Sequence, residues 1–211
     1  MKSTEFITED ITQRALGIGK EYNMADDLIQ FALEVNKNCQ EYIKQNPQHS
    51  TNNVLYRGIE TEDRFSKKRV RLDDRTPTDS GRLEHNMLNK YFTEHFGEPF
   101  RNAMFCNGDF RKVTYYGDPH LIYPKGHFTF LWSPDIDDFF NAFDGKPSSM
   151  SKGQFVENLL ANNEYSTKNL IRAINSGNEI MIRSKEYYAI NIHNTIVSKS
   201  TFKGLEEIIN L

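Results

Sequence analysis

The sequence predicts an α+β fold: a helical N-terminal segment, then a largely antiparallel or mixed sheet interrupted by helices. Three observations point there. One apolar stripe at helical spacing marks the first 48 or so residues. Short β-rich runs follow at irregular spacings, with helical segments between them. Several joins are short and hairpin-like, "IYPKGHFTF" and "IMIRSKEYYAI" among them, which argues against a doubly wound parallel sheet.

In chain order, Leu28, Phe31, Ala32, Val35, Cys39, Tyr42 and Ile43 form the helical stripe. "QNPQHSTNN" (45–53) ends it with loop residues. Val54, Leu55 and Tyr56 read as a buried strand that ends at Arg57 and Gly58. "RFSKKRVRLDDR" (64–75) reads as a solvated hairpin, with phosphate tracking as its alternative use. Asp79 or Ser80 is placed to cap a helix near 80–96. On that helix His85, Asn89, Phe92 and Phe96 share an inward stripe, so the polar pair serves either a structural network or a site wall.

"MFCNGDF" (104–110) reads as a strand ending in an Asn-Gly turn. "VTYYG", "LIYP" and "FTFLW" read as further strands. "SPDIDDFF" opens a helix with Ser133 as cap and Pro134 in the first turn. A helix over roughly 152–175 breaks near "NNEYS". "EIMIR" and "YYAINI" read as two strands joined by a turn, and "TFKGLEEIIN" as a closing helix.

The chain has 211 residues and a net charge of −3, which suits one domain and advertises neither nucleic acid nor membrane as a partner. The N-terminus lacks an apolar signal core, and no run approaches the roughly 18 apolar residues of a membrane span. Two cysteines, Cys39 and Cys106, occur without metal-ligand spacing. A bound metal is therefore not expected, and a reduced, cytosolic protein is.

Two strand ends carry charge. Arg57 offers a planar fork suited to phosphate, and Gly58 lets a ligand approach the backbone. Glu179 opens a later strand, where a carboxylate could face an arginine across a cleft. The plainer readings are a snorkelling arginine at a sheet edge and a solvated glutamate. Asn107 either shapes its turn or presents an amide to a ligand. Cys106 has no visible base to activate it.

Together, "LYRG" (55–58) and "NEIMIRSKEYYAI" (178–190) resemble the mono-ADP-ribosyltransferase fold family, in the arginine-type branch seen among phage enzymes and bacterial toxins. The resemblance implies a split sheet, with residues 1–50 as a helical segment packed on the same domain and 51–211 as the catalytic part. It implies NAD as substrate, Arg57 on its phosphates and Glu179 as the catalytic carboxylate at the nicotinamide ribose. Tyr56, Gly58, Asn107, His85, Asn89 and Tyr116 would complete the NAD site, with Asn178 and Tyr165 meeting the acceptor. A protein or nucleic-acid acceptor, a bacterial host cytoplasm, a phage-effector or toxin role, and an antitoxin or inhibitor partner follow from the same resemblance.

Two family positions differ. "FCNGD" stands where the family usually carries Ser-Thr-Ser, and Gly177 stands where E-x-E members carry an acid or amide. Asp79, His85 and Asn89 would then line the cleft in place of the missing hydroxyls. Two other classes stay open at this point. One is a catalytically inactive nucleotide- or partner-binding protein of the same fold, marked by NAD binding without turnover. The other is an RNA-binding or RNA-processing protein using the basic 64–75 stretch, marked by salt-dependent affinity.

Overall fold

In the computed structural model, which describes residues 2–76, 81–195 and 198–211, helices flank a five-stranded antiparallel sheet. The N-terminal segment folds as three helices: α1 (Lys2–Glu21), α2 (Asp26–Asn38) and α3 (Gln40–Gln45). Strands β1 (Tyr56–Ile59) and β2 (Phe65–Arg69) come next, then α4 (Arg82–Phe96) and β3 (Met104–Cys106). A short helix α5 (Phe110–Val113) leads through a 3-10 turn to β4 (Asp118–Trp132). Helices α6 (Phe139–Asp144), α7 (Lys152–Asn162) and α8 (Leu170–Ser176) bridge to β5 (Ile180–Asn191). Helices α9 (Ile192–Thr195) and α10 (Lys199–Ile209) close the chain.

The scaffold is a long β4–β5 ribbon. It pairs from His120↔Asn191 to Trp132↔Ile180, with a register shift between Lys125 and Phe128. β1 pairs with the start of β4, while β2 and β3 share the other side of β5. One face of the ribbon packs Phe130, Trp132, Ile180 and Ile182 into a core shared with α2 and α10. Leu131 and Met181 point the other way, into a second core with Leu88, Phe92, Phe139 and Val156. This period-two alternation gives the ribbon helices on both faces.

Four expectations need correction. "LIYP" and "FTFLW" are not two strands of a hairpin but one strand, and "EIMIR" with "YYAINI" is likewise one strand. Their polar middles imitate turns. In fact Gly126 (φ +67°) accommodates a bulge, and Lys125 pairs with Glu186 across the ribbon at 3.0 Å. "VTYYG" is helical, because Asp109 accepts from the Arg111 N–H at 3.0 Å and starts α5. Ser133 caps only a turn, accepting from Asp135 and Ile136, and α6 starts later, at Phe139. Asp79 and Ser80 lie outside the described residues, and α4 begins after Gly81.

The β1 strand starts at Tyr56, so Arg57 and Gly58 lie inside it rather than at its end. Gly58 is needed by the protein itself: a Cβ there would sit 2.1 Å from the Val113 carbonyl oxygen and 2.9 Å from Tyr116 C. The α5 turn thus packs on the β1 backbone. Gly58→Ala must push that turn away, and an unfolding free energy lower by about 1–3 kcal/mol is expected in urea titrations. Unchanged stability with weakened ligand binding would instead make Gly58 a ligand-approach glycine.

Candidate functional site

Three strands converge on the end of β3. Cys106 stands opposite Ile180, the first residue of β5. The next residue, Asn107, bridges β1 through Tyr56 N–H→Asn107 O at 2.8 Å and Asn107 N–H→Tyr56 O at 2.9 Å. Arg57 follows Tyr56, and Glu179 precedes Ile180. The two charges therefore flank Cys106 and Asn107 from opposite strands, and both act on the Cys106 thiol. Burial pushes that thiol up to about 12, so it is no nucleophile.

Arg57 Nη1 donates to the Phe105 carbonyl at 2.9 Å, and the guanidinium also interacts with Tyr187. Its fork carries more donors than these contacts use. Glu179 is held more tightly. Its N–H donates to the Asp137 carbonyl at 2.7 Å. Its carboxylate pairs with Arg101 at 3.1 Å, with side chains only 15% and 10% exposed respectively. Arg101 lies over the rings of Phe105 and Phe139, at 4.6 and 4.8 Å from their centroids. Arg75 lies over Phe105 at 4.0 Å.

Burial pushes the Glu179 carboxyl up to about 7, against the pull of Arg101 and Arg75 and with a further push from Asp138. Desolvation outweighs the ion pair, which places the group where it can act as a base, an acid or a fixed anion near neutrality. The ordinary value is 4.5. Between there and about 7 the folded chain keeps a proton that the unfolded chain has lost. This contribution is thus fully present below pH 4.5 and is lost as pH rises through about 7. Glu179→Gln removes the titration. Its unfolding free energy relative to wild type should rise by about 3 kcal/mol between acid and mildly alkaline pH, read from urea titrations at each pH. A pH-independent difference contradicts the account.

The other expected site residues separate into two groups. Near the Arg57–Glu179 junction, Tyr56 packs edge-on to Phe110 at 6.2 Å between ring centroids. Tyr116 is half exposed, with its hydroxyl 3.4 Å from Asp138. The Asn107 amide works within the protein: it accepts from the Asp109 N–H at 2.8 Å and donates to the Gly177 carbonyl at 3.0 Å. Asn178 donates to the carbonyls of Ser133 and Pro134 at 2.9 and 3.1 Å, fixing the approach to Glu179.

The second group lies behind the site. His85 and Asn89 both bond the Asn102 side chain, at 3.0 and 3.2 Å, and Asn89 accepts from the Arg101 N–H at 2.8 Å. They support the segment that carries Arg101. Tyr165 packs its ring among Phe92, Phe96 and Phe139, within the second core.

Arg101 and Asp138 join the site without a motif or spacing that marks them. The available signal for Arg101 was "PFRNAMF", a lone arginine in an otherwise uncharged run leading into a buried strand. Among the described residues no group of acidic, His and Cys side chains could hold a metal ion. No helix among them is long and apolar enough to cross a membrane. No protein-family model, curated protein or solved structure matches the chain significantly.

Proposed function

We propose that the protein is an NAD-dependent mono-ADP-ribosyltransferase. The observation that carries this reading is the placement of Arg57 and Glu179 on either side of the β3 end. Each lies next to a residue paired with that end, Tyr56 for Arg57 and Ile180 for Glu179. The resemblance of "LYRG" and "NEIMIRSKEYYAI" to the family supplies the chemistry, since it gives those two residues the phosphate and ribose roles.

The residues suit NAD as substrate. Arg57 retains donors for a pyrophosphate oxygen. Glu179 is a buried carboxyl fixed through its backbone and side chain. In the reaction the bond from the ribose C1′ to the nicotinamide nitrogen breaks, and its electron pair leaves with nicotinamide. Positive charge develops on the ribose, where the Glu179 carboxylate stabilises it. An acceptor nucleophile then bonds to C1′ and loses a proton. The acceptor is a protein side chain or a nucleic acid.

The test is transfer itself. Wild-type protein incubated with NAD labelled in its ADP-ribose part and a bacterial lysate should label a protein or RNA. Labelling of neither, with NAD bound, would favour an inactive nucleotide-binding protein of this fold. Failure to bind NAD would reject both.

A further inference from the structure

We infer that Arg101 is a positioning residue, clamped between Phe105 and Phe139 and anchored from behind by Asn89, which fixes the Glu179 carboxylate at the mouth of β5. The inference rests on Glu179 being the reactive carboxylate. It extends that reading to residues outside the two strand motifs.

The connection is continuous from α4 to the site. Asn89 binds the Arg101 backbone N–H at 2.8 Å through its Oδ1. The Asn102 side-chain oxygen is bonded to His85 Nε2 at 3.0 Å and accepts from Asn89 Nδ2 at 3.2 Å. Asn89 Nδ2 also lies 3.1 Å from His85 Nε2, so the three side chains form one closed cluster. Arg183 of β5 secures the same segment by donating to the carbonyls of Pro99 and Asn102 at 3.0 and 2.6 Å. The backbone around Arg101 is thus tied on both sides.

The guanidinium is equally restricted. Two phenyl rings shield it from water, which strengthens its charge on the one carboxylate it pairs. A buried carboxylate with a fixed partner keeps one orientation, whereas a free one would rotate or stay protonated. The charged and titratable groups acting on Glu179 are few. Arg101 and Arg75 favour its ionised form, and Asp138 opposes it. The Cys106 thiol lies beside it, and the Asp137 carboxylate is engaged by Lys112.

The experiment follows the Glu179 carboxyl by 13C NMR in glutamate-labelled protein, with Glu179→Gln identifying the signal. In wild type the midpoint is expected at about 7. Arg101→Met should move it up by about one pH unit or more, while Arg101→Lys, which keeps the charge, stays closer to wild type. Asn89→Ala leaves both charges but frees the Arg101 backbone. It should move the midpoint in the same direction, and it serves if the Met variant does not fold. In transfer assays at neutral pH, each of the Met and Ala variants should lose kcat at least severalfold with little change in KM for NAD. A folded Arg101→Met or Asn89→Ala variant that titrates like wild type overturns the inference. Absence of any NAD transfer by wild type would reject the enzyme reading alone, because the titration still decides the role of Arg101.

Discussion

Glu179→Gln is expected to lower ADP-ribosyl transfer by about 10²–10³-fold or more, while NAD still binds. Gln keeps the shape and can hydrogen-bond Arg101, but it cannot offer a negative charge to the developing ribose cation. The loss should therefore fall on kcat. Burial shapes the pH dependence of the wild type. With its carboxyl pushed up to about 7, Glu179 is half ionised near neutrality, so activity should rise with pH through that midpoint. Single-turnover rates with labelled NAD across pH check both statements. Transfer by Glu179→Gln at the wild-type rate would remove Glu179 from the chemistry.

The largest expected loss of stability is at Arg183. Its side chain is only 11% exposed and ties four groups together. It donates to Glu98 at 2.5 Å and to the carbonyls of Leu72, Pro99 and Asn102 at 3.4, 3.0 and 2.6 Å. Arg183→Leu strands those acceptors near the second core. Glu98 retains Thr129 at 3.0 Å and is 36% exposed, which softens the penalty on that side. A loss of about 2–4 kcal/mol is expected, with a fall in Tm of about 10 °C. The segment bearing Arg101 should also loosen, so amide exchange across residues 100–103 should accelerate before global unfolding. A change below about 1 kcal/mol would show that the carbonyls find other partners.

Much of this architecture is legible in the sequence because burial has a period. The stripe from Leu28 to Ile43 gives α2 and α3, and the inward face of α4 follows from His85, Phe92 and their neighbours. The alternation in "IMIR" likewise gives a strand with two covered faces. The long strands are hidden because charged residues interrupt them. Lys125 and Glu186 look like turn residues, yet each answers the other across the ribbon. At "VTYYG" β-propensity points one way, but the Asp109 cap acts locally and wins.

The candidate site divides along the same line. Arg57 and Glu179 stand out because a charge beside a buried strand breaks an apolar pattern. Arg101 sits in a segment without periodicity between α4 and β3, so nothing in its spacing announces a partner 78 residues away. Nor does spacing reveal that Asn107 spends its amide on Gly177 and Asp109. Of the two readings of their stripe, His85 and Asn89 show the structural network, which holds Asn102 and the Arg101 backbone.

A structure of the protein with NAD bound would decide whether Arg57 and Glu179 share one ligand. The pyrophosphate is expected on Arg57 and the nicotinamide ribose against Glu179, with the β3 end between them and Arg101 still paired to the carboxylate. NAD bound elsewhere, or held by Arg57 with its ribose turned away from Glu179, would contradict this placement.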